Sequence, residues 1–396
     1  MERMFALDNP IQRYAWGSRT AIPALLGRPA PGPGEPPWAE LWMGAHPSAP
    51  SRVEMSGRAI GLDQLAAQHP HEVLGARVAR AHGPRLPFLF KIIAAERPLS
   101  IQCHPDAAAA RAGFERENRL GVALDARERS YRDASHKPEL LVALGAFSAL
   151  VGFRSPREIR DRLAAAGARQ LAGAVSALDQ PRGLASFLAS LLRLPAAGRR
   201  GLLDQVAVGL AGDVSAEAEW VRRLAADYPG DAAAVAPLFL NLVELEAGQG
   251  IYLGAGVLHS YLGGVGLEIM ASSDNVLRGG LTDKHIDVDE LIAIVRAEPM
   301  RPAVLTPSRG PLCEYATPAQ EFRLGHVDLA QRAAHVRAGA QRGPEIVLSF
   351  ADRCRLVDGE TGTRLELQRG SAALITAQVT SYRVEGEGRV WIAGVP

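Results

Sequence analysis

Four residues of this chain carry donor atoms that suit a divalent metal: Gln102, His104, Glu139 and His259. Two imidazoles, one carboxylate and one amide oxygen match Zn²⁺ or another divalent first-row ion. Gln102 and His104 lie in Ser100-Ile101-Gln102-Cys103-His104-Pro105. Side chains alternate between the faces of a strand, so Ser100, Gln102 and His104 share one face, and Ile101 and Cys103 the other. A face this polar either meets water or lines a pocket. Glu139 closes His136-Lys137-Pro138-Glu139, which taken alone reads as a solvated loop. A Gly254-Ala255-Gly256 turn delivers His259 onto an otherwise apolar strand. A lone histidine there is more often a hydrogen-bonded core residue than a ligand. Each segment is weak by itself, and nothing resembles HExxH. Together they supply a complete ligand set, scattered over several strands as the interior of a barrel would scatter it.

A second polar segment runs from Ser272 to Lys284, SSDNVLRGGLTDK. It is rich in glycine and carries Asp274, Arg278 and Lys284. It reads either as a surface loop or as an anion clamp close to the metal.

These residues need elements to position them. PFLFKIIAA (87–95), LSIQCHP (99–105) and ELLVALG (139–145) read as strands, being short, apolar and bounded by Pro, Gly or charge. PAPGPGEPP (29–37) can only be an irregular loop. From residue 154 to about 236 the chain is rich in Ala, Leu, Arg and Asp. Ser155-Pro156-Arg157-Glu158 starts a helix there, with Ser at the N-cap, Pro at the first position and Glu three residues after the cap. Ile159, Leu163 and Ala166 follow at helical spacing, so this block reads as a helical insertion. Strand character returns over 238–264 with the rhythm of a small antiparallel barrel or jelly roll. Asp287, with Glu290 three residues on, caps a helix through LIAIVRAE. EIVLSF, RLELQ and SAALITA then read as strands of a second β-unit. The fold class is mainly β with a helical insertion. The expected division is 1–153 and 237–300 for the site-bearing β-domain, 154–236 for an all-α insertion, and 301–396 for a C-terminal β-domain.

Bulk properties exclude several classes. Lys plus Arg (44) nearly balance Asp plus Glu (43), so no electrostatic footprint points to nucleic acid or an anionic membrane. The three cysteines, Cys103, Cys313 and Cys354, are far apart and never form a CxxC pair, which argues against a disulfide framework or a thiolate zinc site. The first residues lack the apolar core of a secretory signal, and no run of about 18 apolar residues appears. A cytoplasmic protein acting on a small molecule is expected.

Seven stretches, in order, resemble the type I mannose-6-phosphate isomerases, cupin-type zinc enzymes: YAWGS (14–18), AELWMGAHPSAPS (39–51), PFLFKIIAAERPLSIQCHPD (87–106), HKPE (136–139), LVGFR (150–154), GVLHSYLGGVGLEIM (256–270) and SDNVLRGGLTDKHIDVDEL (273–291). The QCHPD stretch carries Cys where a small or aliphatic residue is usual. The helical block and the C-terminal region match in layout only.

The resemblance implies cupin or jelly-roll β-domains and one zinc per chain on Gln102, His104, Glu139 and His259. It implies a catalytic Arg278, and a cleft lined by Trp16, Glu40, Ser100, His136, Lys137, Asp274 and Lys284. The implied reaction interconverts mannose 6-phosphate and fructose 6-phosphate through a cis-enediolate. Arg278 stays charged and cannot be the base. Asp274, His136 and Lys137 are the candidates for that role, the first two ahead of the third. Phosphate donors are sought in Ser100, Lys137 and Lys284, then Lys91. The implied protein is a cytoplasmic monomer of carbohydrate metabolism, serving GDP-mannose supply or mannose breakdown. The rival readings are an isomerase for another phosphosugar, a non-catalytic sugar-phosphate-binding cupin, and a structural protein.

Overall fold

The apolar run at 87–95 becomes the strand Phe88–Ala95, with all of its residues buried. It belongs to a computed structural model that describes residues 2–55, 57–329, 335–338 and 343–396. A ten-stranded sheet holds this strand next to His259–Ala271, which pairs in turn with the long strand Glu139–Phe153. Gly250–Leu253 and Val304–Leu305 extend the sheet on one side, and Glu40–Gly44 with Ile11–Gln12 on the other. Gln102–Cys103 attaches to the start of the His259 strand and pairs with Leu277–Arg278. Only these two residues of the 99–105 run are strand. Leu99 and Ile101 instead give their backbone N–H groups to Tyr261 and Gly280.

Two apolar layers cover this sheet. The helices Pro156–Ala165, Gly183–Leu192, Ala196–Gly209 and Ala216–Asp227 pack Ile159, Leu163, Phe187, Leu202 and Leu224 against Ile101, Cys103, Phe153 and Leu277. Ile101 and Cys103 are thereby drawn inward, which turns Gln102 and His104 toward the site. The Pro156 helix starts on a full capping box, with Ser155 and Glu158 bonding each other's backbone. The other layer is a six-stranded sheet, ordered Met4–Leu7, Ala372–Ile375, Glu345–Ser349, Gly388–Gly394, Arg323–Leu329 and Cys313–Glu314. Its Phe322, Ile346, Leu374 and Trp391 share one core with Phe88, Phe90, Leu140 and Ile269 of the large sheet. A four-stranded sheet of His335–Ala338, Ser381–Gly386, Arg353–Asp358 and Arg364–Gln368 lies beyond it.

Three sequence expectations are corrected. Met4–Leu7 was grouped with residues 1–153 but pairs with Ala372–Ile375. Val304–Leu305 was grouped with 301–396 but pairs with Gly250 and Ile251 of the large sheet. In both cases a strand edge takes a distant partner, which local pattern cannot foretell. The helix opened by Asp287 spans only Val288–Ile294, because Val295 is already extended (ψ 135°). Its N-cap bond from Glu290 to Asp287 is as expected.

Candidate metal centre

Alternation along three neighbouring strands builds the site. Glu139 shares a face with Leu141 and Ala143, His259 with Tyr261, and Lys91 with Ile93. The apolar members of this face form one buried cluster, while Lys91, Glu139 and His259 line a cavity of about 60 Å³ with Glu40, Gln102, Lys137 and Glu268. The Gly254–Gly256 turn directs His259 into it. Gly256 has φ +75°, and a Cβ there would come within 2.9 Å of the Ile294 carbonyl. Its N–H bonds the His104 carbonyl at 2.8 Å, which ties the two histidine segments together.

Ligand atoms of His104, Glu139 and His259 converge within 4.8 Å of one another. His104 Nε2 stands 3.2 Å from one Glu139 oxygen, and His259 Nε2 stands 3.4 Å from the other. The remaining ring nitrogens are turned to carbonyls, His104 Nδ1 to Asn275 at 2.7 Å and His259 Nδ1 to Val257 at 3.0 Å. This second bond is the usual device that aims the free nitrogen of a metal-binding histidine. His104 Nε2 is buried with no hydrogen-bond partner. Burial pushes the His104 imidazole down to about 4, so its lone pair is available at neutral pH. Burial opposes the charge on Glu139, yet Lys137, 3.2 Å away, and the adjacent imidazoles hold its carboxyl well below the usual range. These donors fit a zinc ion: an orphaned imidazole nitrogen, an ionised carboxylate and a second imidazole, with Gln102 on the same wall.

Next to the metal donors lies a buried charge cluster. Lys91 Nζ is 3.0 Å from Glu268 and 3.7 Å from Glu40. Burial works against the Lys91 charge, but Glu268 and Glu40 outweigh it and raise its pKa. Burial raises that of Glu268. Glu40 also accepts from the Trp42 indole at 2.6 Å, and Glu268 from the Tyr261 hydroxyl at 3.0 Å.

The other expected residues do not line this cavity. Arg278 stands opposite Gln102 in strand register. Its Nε is buried without a partner, and burial first, then Arg132, lowers its pKa. Asp274 is half exposed, 3.3 Å from His46 Nε2. Burial would raise its pKa, but the His46 hydrogen bond and charge, then Lys137 and Arg132, bring it down. His136 Nε2 lies 2.7 Å from Glu321, which raises its pKa. Lys284 is exposed, Ser100 is half-buried, and Trp16 stacks on Tyr14 at 5.6 Å against an apolar cluster.

Sequence reasoning missed Glu268, Tyr261, His46 and Glu321. An acid inside the apolar run GVGLEIM was a usable signal for Glu268. Glu321 had none, since it arrives from the C-terminal region.

Residues 4–156 match the family model for the phosphomannose isomerase type I catalytic domain. The chain is 37% identical to mannose-6-phosphate isomerase of Escherichia coli strain K12, over 98% of each chain. It is 32% identical to the Homo sapiens mannose-6-phosphate isomerase, over 95% of this chain and 94% of that one. The structure of mannose 6-phosphate isomerase from Salmonella typhimurium bound to substrate (f6p) and zinc superimposes with a TM-score of 0.90 at 36% identity, covering both chains fully. Similarity that runs the whole length of the chain, together with the converging histidine and glutamate donors, means that the chain belongs to the type I mannose-6-phosphate isomerases.

Proposed function

We propose that this protein interconverts mannose 6-phosphate and fructose 6-phosphate, with one zinc held by Gln102, His104, Glu139 and His259. The observation that carries this reading is the convergence of three buried donors within 4.8 Å, in a chain whose Salmonella relative binds fructose 6-phosphate and zinc. Zinc, when bound, supplies Lewis-acid stabilisation of developing negative charge.

The chain's own residues do the rest. A cavity of about 60 Å³ has room for an ion and a few oxygen atoms, not for a whole sugar phosphate. The sugar therefore lies across the mouth, in reach of Arg278, whose strand pairs with that of Gln102, and of Asp274 and Lys284 from the same segment. Arg278 contributes a fixed positive charge beside the enediolate, already partly stripped of water. Asp274 moves the proton between C2 and C1: its carboxyl is ionised and half exposed. His136 is less suited, because the Glu321 bond favours the imidazolium, which has no lone pair to accept a proton. Lys137 is engaged with Glu139 and keeps that ligand charged. Glu40 and Lys91 hold one another and present oxygen and ammonium groups to sugar hydroxyls. Ser100 and Lys284 lie toward the phosphate, and Trp16 flanks the sugar.

In the same reading the two β-units are cupin-type jelly rolls, supported by the antiparallel pairing of their strands. The helices between Pro156 and Leu238 form an all-α domain. The division at 153, 236 and 300 is kept, apart from the two exchanged edge strands. The protein works as a cytoplasmic monomer. No helix among the described residues is long and apolar enough to cross a membrane.

The test is direct. Purified protein is given mannose 6-phosphate, and fructose 6-phosphate is followed with and without a chelator, then with zinc restored. Chelator-sensitive turnover recovered by zinc is expected. Absence of turnover with zinc bound would move the assignment to another phosphosugar.

A further inference from the structure

We propose that Arg132 binds the phosphoryl group of the substrate, together with Lys284, at the rim of the site and away from the metal donors. The proposal rests on the function proposed above and adds a residue to it.

The geometry begins with Asn275, which is fully buried. Its side-chain oxygen accepts from the backbone N–H of Arg132 at 2.7 Å and of Asp133 at 3.2 Å. Its amide donates to the carbonyls of Asp133 and Ser135, both at 2.8 Å. Asp133 in turn accepts from Ser273 Oγ at 2.9 Å and from the backbone N–H of Asp274 at 2.8 Å. Further along, the Arg127 guanidinium donates to the Asp283 carbonyl at 2.6 Å. The 127–135 segment is thus fastened along the 273–283 segment at both ends. Arg132 is rooted on the residue whose own carbonyl fixes His104.

Charge then singles out a ligand class. Arg132, Arg278 and Lys284 come from these two fastened segments. Among the described residues none of the three makes an ion pair, and the Arg278 Nε is buried without a partner. Burial lowers the pKa of both Arg278 and Lys284, and each is lowered further by Arg132. Asp283 alone acts the other way on the two of them. Asp274 in turn feels Arg132, so three cations face two carboxylates, neither of them ion-paired to any of the three, and an incoming dianion relieves the excess. Phosphate fits best, because a guanidinium meets two of its oxygens at once and an ammonium meets it as a point charge. Arg278 stands opposite Gln102 and so lies at the metal end of the cluster. Arg132, exposed and four residues upstream of His136, lies at its outer end with Lys284, which is also exposed.

The experiment compares zinc-loaded wild type, Arg132→Gln and Arg132→Lys. Turnover of mannose 6-phosphate by the wild type tests the underlying reading first. Inhibition by inorganic phosphate, or its binding followed by thermal shift, then tests the site independently of that outcome. A lost charged hydrogen bond corresponds to roughly 10- to 100-fold in affinity. Arg132→Gln should raise KM for mannose 6-phosphate by about that factor and weaken phosphate binding in parallel, with kcat within a few fold and zinc content intact. Arg132→Lys should recover part of the loss. A folded, zinc-loaded Arg132→Gln with unchanged KM and unchanged phosphate binding overturns the proposal. So does a fall in kcat alone, which would make Arg132 a group acting on the reacting atoms or on their positioning.

Discussion

Burial pushes the His104 imidazole down to about 4, against 6.5 for an ordinary histidine. The unfolded chain therefore binds a proton that the folded chain refuses between those two values. The stabilisation is complete above about 6.5 and is lost as pH falls toward 4. The chelator-stripped protein should lose stability on acidification through this window by up to roughly 3 kcal/mol, at about 1.4 kcal/mol per unit. Urea unfolding of wild type and His104→Gln across this range reads it, and equal slopes for both would remove His104 as the cause. Two further substitutions separate binding from turnover. His259→Ala should lose zinc and activity together, whereas Arg278→Ala should keep zinc and lose roughly 10²–10³-fold in kcat. Metal analysis beside kinetics distinguishes them, and a zinc-free but fully active His259→Ala would refute the ligand set. At this scale residue type was not enough, since the chain has 10 histidines and 43 acidic residues; Gln102, His104, Glu139 and His259 stood out only when their segments were taken together and set beside the family resemblance. Residue type did not nominate Glu268 or Tyr261, whose polar ends matter only because folding buries them beside Lys91.

Among the elements, the short segments carry more of the site than the long ones. The strands around Phe88 and Glu139 were readable from continuous apolar runs, as was the helix start at Ser155 from its capping box. The two-residue pairing of Gln102–Cys103 with Leu277–Arg278 was not, since it depends on backbone bonds to Tyr261 and Gly280. The turn at Gly256 belongs to the same class of local necessity. Gly256→Val adds a side chain at φ +75° against the Ile294 carbonyl and the Arg296 N–H. It should displace His259 and lower zinc affinity, read by competition with a chromogenic chelator. Ser155→Ala removes one half of a capping box on a helix that carries none of the metal donors, and should cost about 0.5–2 kcal/mol of stability with zinc affinity unchanged. If Gly256→Val binds zinc as tightly as Ser155→Ala, the turn does not aim the histidine.

For the whole molecule, the six-stranded sheet and the large sheet share one core, and the first strand lies on the far side of the chain's order. Phe5 is 2% exposed within that shared core. Phe5→Ala should destabilise the protein by about 3–5 kcal/mol without changing zinc affinity at temperatures where it stays folded. Thermal unfolding beside metal titration checks both halves. This join was invisible in the sequence because Met4–Leu7 is an ordinary short apolar strand, and nothing near it names a partner. Glu321 reaches His136 for the same reason: the packing of the two sheets, rather than any motif, brings it there.

The pairing of Met4 with Ile375 also sets a schedule for synthesis. Met4–Leu7 has to wait for its strand partners until residues 372–375 have been translated. At about 5–20 residues per second that interval is roughly 20–75 s. By its end every strand of the large sheet and every helix has been made, while Met4–Leu7 still lacks its strand partner. The six-stranded sheet can take up its first strand only once residues 372–375 have been made.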